Sequence, residues 1–451
     1  MLTLEPPADP RALLAELYRA AVTAAAPGPA LRAALDAATP PAGPVHLLAL
    51  GKAAHPMAVA AVEWLAARGQ APVGGVLVVP EPSPAPHPVL AVAVGDHPQP
   101  GAGSLGAAEA LGRAVQGVAP GHEVWVLLSG GTTSLIGAPV AGIPPADLAQ
   151  LYRLLLGSGL DITAMNRIRK RFARWAGGRL AAALSPAHVK NFTISDVIGD
   201  DLGSIGSGPC VPDASSAAEV KAAMGSAGVW EQLPATLRAH LEAVIRGTIP
   251  ETPKAGDAAF RTTETTLIAS NRLALEAACR CASAHGLEAR LLDAALSGEA
   301  ADVGRRLAAT LLTYDATNGT GAQAGGMNKD TVLVWGGETT VTLPPDAGLG
   351  GRSQELALAA AGALAAAGPA ARPVTLLAAG TDGRDGPTDA AGAFADAGTW
   401  ARIAAAGRDP GADLAAHASH AALAAAGDLF HTGMTGTNVM DVVLGFLPRL
   451  R

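Results

Sequence analysis

Residues 380–392 read Gly-Thr-Asp-Gly-Arg-Asp-Gly-Pro-Thr-Asp-Ala-Ala-Gly and place three carboxylates, Asp382, Asp385 and Asp389, directly after the apolar run VTLLAA at 374–379. Gly and Pro supply the backbone geometry of such a turn, but they do not account for its charge. Like charges this close repel unless a cation or cationic ligand offsets them. The three are therefore candidate ligands for a metal ion, with a solvated acidic loop as the plain alternative. A second acidic stretch follows the run NFTIS (191–195) and contains Asp196, Asp200 and Asp201. Asp196, immediately after the run, is the better candidate for work on a substrate hydroxyl, whereas Asp200 and Asp201 suit helix capping as well.

Lys52 follows Gly51 between an apolar run and a helical stretch, where its ammonium could meet phosphate beside a helix N-terminus. A surface lysine lying over a helix start is the equal alternative. The stretch is not a Walker A loop, because Ala53 stands where a hydroxyl is required. Ser129, Gly130 and Gly131 open a loop of small hydroxyl residues that runs to Ser134, suited to presenting backbone N–H groups to anionic oxygens. Arg352 comes after Gly350 and Gly351 at the start of a helical pattern. A cation there is unfavourable for the helix alone and makes sense if it grips an anion bidentately. Thr437 and Asn438 lie in a similar small polar loop ahead of the apolar run VMDVVLGFL.

What positions these residues is an alternation of short β-rich runs with Ala-rich helical stretches. Strands are expected at 45–50, 75–80, 89–94, 124–128, 191–195, 265–270, 288–293, 331–335, 339–343 and 374–379. Helices are expected at 11–25, 104–117, 146–157, 214–224, 271–285, 299–313 and 353–367. Apolar runs without alternation suit parallel strands covered on both faces, so the fold class is α/β. The polar, Pro-containing stretch 246–262 separates two blocks, and the Gly-rich stretch 315–330 reads as a surface loop. Seven strands in succession end in Gly with a polar or charged group: Lys52, His97, Ser129, Asp196, Asn271, Glu338 and Thr381 lie at or just past those ends. In open α/β sheets ligands bind outside the carboxyl ends of strands, so an enzyme-like site is expected there.

Composition excludes several classes. A net charge of −7 implies no broad basic surface and so no general nucleic-acid partner. No run of about 20 apolar residues escapes Gly, Pro or charge, so no membrane span is expected. Cys210, Cys279 and Cys281 form neither an even disulfide set nor a zinc pattern, which points to a reducing, cytoplasmic setting. Gly101, Gly103 and Gly106 spell G-x-G-x-x-G. The segment DHPQP separates them from the preceding strand, so a Gly-rich helix opening is favoured over a dinucleotide fingerprint.

In this order, LGKAA (50–54), GDHPQPGAGS (95–104), LLSGGTTSL (127–135), MNRIRKRFARWAGGRLA (165–181) and SDVIGDDLGSIGSGP (195–209) resemble the glycerate 2-kinase family. So do ASNRLALEAA (269–278), GGETTVTL (336–343), GLGGRSQELALA (348–359), GTDGRDGPTDAAGAFAD (380–396) and TGTNVMD (435–441). The resemblance implies a larger N-terminal Rossmann-like, doubly wound parallel-sheet domain over 1–250. A C-terminal α/β domain of the MOFRL type would cover 260–451, its last helix region packing back on the first. It implies ATP-dependent phosphorylation of D-glycerate at the 2-hydroxyl, with Mg²⁺, in a cleft between the domains, by a monomer or homodimer. Lys52 and Arg352 would meet the reacting phosphoryl group and substrate carboxylate, and Asp196 the glycerate hydroxyl. His97, Ser129, Gly130, Gly131, Asn166, Asn271, Glu338, Thr381, Thr437 and Asn438 would bind substrate or nucleotide, and Asp382, Asp385 and Asp389 the metal. Thr132 stands where the family usually has a third glycine. The rival readings are an NAD(P)-dependent reductase acting on hydroxypyruvate, a non-catalytic sugar-acid or nucleotide sensor, and a kinase for another small hydroxy acid.

Overall fold

A computed structural model describes residues 9–314, 329–368 and 372–449; most of the loop expected at 315–330 lies outside the described residues. The chain divides into two compact units. An inserted unit comprises residues 27–268, and a flanking unit combines the residues up to Ala26 with those from Ala269 onward.

The inserted unit is built on strands β1 (Val45–Leu50), β2 (Pro72–Val79), β3 (Ala91–Val94), β4 (Glu123–Leu128), β5 (His188–Ile194) and β6 (Thr263–Ala269). Their order is β3-β2-β1-β4-β5-β6, that of doubly wound nucleotide-binding sheets. β1 pairs in parallel with β2 and β4, β2 with β3, and β4 with β5. All six residues of β1 and of β4 are buried, which is why both lack the in-out alternation of a half-exposed strand. Leu48, Leu50, Val76, Val124 and Val126 pack with Ala107, Ala108 and Leu111 of the helix Ala102–Gln116. The glycine run 101–106 opens that helix: Asp96 accepts the Ser104 N–H through Oδ2 at 3.0 Å, so these glycines serve a helix start. A separate helical core gathers Leu151, Ile168, Phe172, Met224 and Leu237.

The flanking unit holds β7 (Glu288–Leu296), β8 (Thr331–Gly337), β9 (Thr375–Gly380), β10 (Gly392–Asp396), β11 (Leu429–Phe430) and β12 (Asp441–Leu447), in the order β11-β10-β9-β12-β8-β7. This sheet is mixed rather than parallel throughout. β7 and β8 are parallel, whereas β12 runs antiparallel between β8 and β9, and β10 is antiparallel to β9. A continuously apolar run carries no direction, so VMDVVLGFL could not disclose its reversed course. The strand expected at 339–343 does not form. Only Thr340 bridges, to Glu299, because the Glu299 carboxylate takes the N–H and hydroxyl of Thr342 and closes the segment locally.

The first helix, Pro10–Ala24, starts at Asp9, whose side chain accepts the Arg11 N–H. It belongs to the flanking unit, although sequence order groups it with the first block. Its apolar face (Leu13, Leu14, Leu17, Tyr18, Ala21) is buried. Arg11 pairs with Asp396 and Asp428, and the Tyr18 hydroxyl donates to the Gly380 carbonyl at 2.6 Å. Burial pushes the Tyr18 phenol up, so it acts as a neutral donor. Replacing Tyr18 by Phe leaves a carbonyl at the head of the acidic turn without this donor. We expect a loss of about 1–2 kcal/mol, read as a lower unfolding midpoint in calorimetry; an unchanged midpoint would show that the bond contributes nothing.

Candidate active site

In the inserted unit the chain exits β1, β4 and β5 side by side. Ser129 is buried and splints two of these exits: its Oγ accepts the Ala53 N–H at 3.0 Å and donates to the Leu50 carbonyl at 3.3 Å. The Lys52 N–H donates to the Gly130 carbonyl at 3.0 Å. Lys52 is thereby fixed at its backbone just before the helix Ala54–Ala66, with an exposed side chain. Gly130 and Gly131 admit the surrounding side chains. A Cβ on Gly130 would overlap the Asp196 carboxylate, and one on Gly131 would come 3.3 Å from Lys52 Cγ and 3.4 Å from His97 Cδ2. Gly131 also has φ +86°, a left-handed conformation that a side chain would strain. Burial, and then the Lys52 charge, depress the His97 pKa, which favours a neutral imidazole. Thr132 begins a short helical turn and donates to the Ser129 carbonyl at 2.8 Å; its conformation is helical, so no third glycine is required.

Lys52, His97, Ser129, Gly130, Gly131 and Asp196 are thus assembled as neighbours. Among the described residues, no hydrogen bond or ion pair ties Asn166 to that group. It lies on the helix Ile162–Phe172, where its Oδ1 accepts from Arg169 at 3.4 Å.

In the flanking unit the reversed strand decides the geometry. Asp441, first residue of β12, lies opposite Gly337 of β8 and Gly380 of β9. It therefore sits at the edge where β8 and β9 end. There it holds Arg352, first residue of the helix Arg352–Ala366, through Nε at 2.6 Å and Nη2 at 2.9 Å. Glu338 takes Arg352 Nη1. The bidentate anion expected for Arg352 is, in this structure, a carboxylate of its own chain. Burial would lower the Arg352 pKa, but Asp441 and then Glu338 hold it above the ordinary arginine value. Burial pushes the Asp441 carboxyl up to about 6 despite Arg352, with Asp385 and Glu338 adding to the rise.

A cleft of about 590 Å³ opens beside this cluster, lined by Glu338, Gly351, Arg352, Asp382, Arg384 and Asn438 among others. The three aspartates proposed as metal ligands do not meet there. Asp385 is buried and accepts the backbone N–H groups of Ser353 (3.1 Å) and Gln354 (2.8 Å). It closes the start of the helix that carries Arg352, and Gly351 has no room for a Cβ beside it. Asp389 is exposed and pairs with His420. Asp382 lines the cleft as Asp385 does, and its Oδ1 takes the Arg384 N–H at 3.0 Å.

Three of the residues expected to bind ligand make internal ties. Asn271 is buried and donates to the Val439 and Asp441 carbonyls, both at 2.8 Å. The Thr381 hydroxyl donates to the Met440 carbonyl and accepts the Val439 N–H, and the Thr437 hydroxyl donates to the Ala25 carbonyl. All three fix the segment leading into β12, and so the position of Asp441.

Residues 13–242 match a family described as a domain of unknown function, DUF4147, and residues 331–441 match the MOFRL family. A protein from Pyrococcus horikoshii named glycerate 2-kinase is 35% identical over 91% of this chain and 88% of its own. The chain belongs to the glycerate kinase family. A crystal structure of glycerate kinase from Thermotoga maritima superposes with a TM-score of 0.84 at 31% identity, covering 98% of this chain and all of that one. A protein from Agrobacterium vitis provisionally named hydroxypyruvate reductase is 38% identical over 96% of this chain and 93% of its own.

Sequence reasoning missed Asp441 and the pairing of buried Glu355 with half-buried His417, which also line or approach the cleft. Asp441 had a signal: it closes the motif TGTNVMD as an acid at the head of an apolar run. The Glu355–His417 pairing joins residues 62 apart and had none.

Two outcomes follow from this geometry. Gly130→Ala must displace the Asp196 carboxylate, so turnover should fall at least tenfold while the unfolding midpoint changes little; undiminished turnover would separate Asp196 from the reaction. Asp441 has its pKa raised on folding, so the native state retains this proton to higher pH than the unfolded chain. Its contribution to stability therefore falls as pH rises from about 3.8 to about 6. The ionised clamp on Arg352 forms over the same range, so kcat should drop below about pH 6, and Asp441→Asn should remove that limb from the pH–rate profile.

Proposed function

We propose that this protein transfers the γ-phosphoryl group of ATP to the 2-hydroxyl of D-glycerate, giving 2-phosphoglycerate and ADP. The observation that carries the reading is the assembly of Lys52, His97 and Asp196 around Gly130 and Gly131, in a chain related over nearly its full length to glycerate 2-kinases. Phosphoryl transfer asks little covalent chemistry of a protein; it needs positioning and cancellation of developing charge. Asp196 orients the 2-hydroxyl and takes its proton as the oxygen attacks phosphorus. The Lys52 ammonium stabilises negative charge on the transferring group. A neutral His97 beside it is suited to hydrogen bonding rather than adding charge.

Arg352 and Arg384 at the flanking unit's cleft suit the anionic parts of substrate or nucleotide. Mg²⁺ characteristically binds one or two carboxylates plus phosphate oxygens and water. The pair Asp382 and Glu338 at that cleft fits the requirement, and would hold the ion, which neutralises phosphate charge. The full set Asp382, Asp385 and Asp389 does not fit it, since both Asp385 oxygens take backbone N–H groups of a helix start and Asp389 does not line the cleft.

A unit charge about 4 Å from a developing phosphoryl charge contributes roughly 4 kcal/mol at an effective dielectric near 20. Lys52→Ala should therefore lower kcat by about 10³ without unfolding the protein, and Arg352→Ala by a similar factor with an added loss of stability, because Asp441 is left buried and unpaired. Asp196→Asn should cost about 10²–10⁴ through loss of the proton acceptor. The decisive measurement is a coupled ADP assay over a panel of small hydroxy acids, with the product identified by NMR. D-glycerate should give ADP and 2-phosphoglycerate. Oxidation of NAD(P)H by hydroxypyruvate without ADP formation would replace the kinase reading with the reductase one. ADP formation only with another hydroxy acid would reassign the substrate.

A further inference from the structure

The flanking unit carries a second cluster of chemistry-bearing side chains that the phosphoryl-transfer reading leaves unused. The helix Asn271–Ala284 presents Cys281, and His285 follows at its C-terminal cap. Four residues is one helical turn, so the thiol and imidazole share a face. The N-terminal helix places Glu16 against that face, with His285 Nε2 and Glu16 Oε1 at 2.9 Å. One ligand atom from each of Glu16, Cys281 and His285 lies within 4.8 Å of the others. His285 is buried, Glu16 and Cys281 are partly exposed, and His285 Nδ1 has no hydrogen-bond partner among the described residues.

We propose that Glu16, Cys281 and His285 form a structural site for Zn²⁺ or a similar borderline-soft divalent cation. The donor set is one thiolate, one imidazole and one carboxylate, with water as fourth ligand, a combination that zinc accepts and Mg²⁺ does not favour. Bonds of about 2.0–2.3 Å in a tetrahedron put ligand atoms roughly 3.3–3.7 Å apart, so the present cluster needs only small side-chain adjustments. Binding displaces the Cys281 thiol proton to solvent and converts a hydrogen bond between two helices into a coordinate cross-link. The site's effect is to secure the N-terminal helix, whose Tyr18 supports Gly380.

The test is to treat the full-length protein with chelator and titrate it with Co²⁺, a spectroscopic substitute for zinc. Thiolate ligation gives a near-ultraviolet charge-transfer band that carboxylate-only sites lack. The band should saturate at one equivalent, vanish on adding Zn²⁺, persist in Cys279→Ser and be lost in Cys281→Ser, with at least a 100-fold weaker affinity there. Zn²⁺ should raise the unfolding midpoint of the wild type and not that of Cys281→Ser. Absence of the band in the wild type, or its survival in Cys281→Ser, overturns the proposal. These readouts need no turnover, so they stand or fall independently of the kinase assignment.

Discussion

The guanidinium of Arg352, held by Asp441 and Glu338, is the interaction on which the flanking unit's cleft depends. It joins the first turn of a helix, the tail of β8 and the head of β12. Burying such charges is costly unless each is paired and hydrogen-bonded, and removing one partner characteristically costs about 3–5 kcal/mol. The surrounding chain meets that requirement. Asp385 occupies the helix's free N–H groups, so the helix start is satisfied without drawing on Arg352. Asn271, Thr381 and Thr437 hold the strand that presents Asp441. Residues that looked like ligand contacts are therefore the scaffold that keeps a charged residue in place.

The inserted unit reaches a comparable result by removing side chains rather than pairing charges. Gly130 and Gly131 have neighbours where a Cβ would be, and those neighbours are Asp196, Lys52 and His97. Two bare backbone positions after β4 let a carboxylate, the methylene stem of a lysine and an imidazole approach one short segment. Ser129 then fixes the loop from below by bonding the exits of β1 and β4.

The α/β class and the first nine strands were legible in the sequence because buried runs and Ala-rich stretches alternate so regularly; β10, β11, β12 and several helices, such as Pro27–Ala37 and Ala235–Ile245, were not. The polar strand ends were legible too, since Gly followed by a charged residue stands out against an apolar run. What was not legible was direction and partnership. β12 carries no sign that it runs antiparallel, and its reversal is what brings Asp441 to the edge shared by the ends of β8 and β9. The spacing of Asp382, Asp385 and Asp389 suggested shared work, yet backbone turns send them to a cleft wall, a helix start and a surface histidine. Local density of like charge says that something must offset it; it does not say that one partner offsets all of it.

Because residues 27–268 are inserted between the N-terminal helix and the remainder of its unit, that helix emerges during synthesis long before anything it packs against. At about 5–20 residues per second, translating the roughly 240 intervening residues takes on the order of 10–50 s. Throughout that interval Leu13, Leu14 and Leu17 have no native surface to cover them, while the inserted unit can complete its own sheet behind them. The nascent chain thus carries an apolar, amphipathic helix whose native partners are made only after the inserted unit.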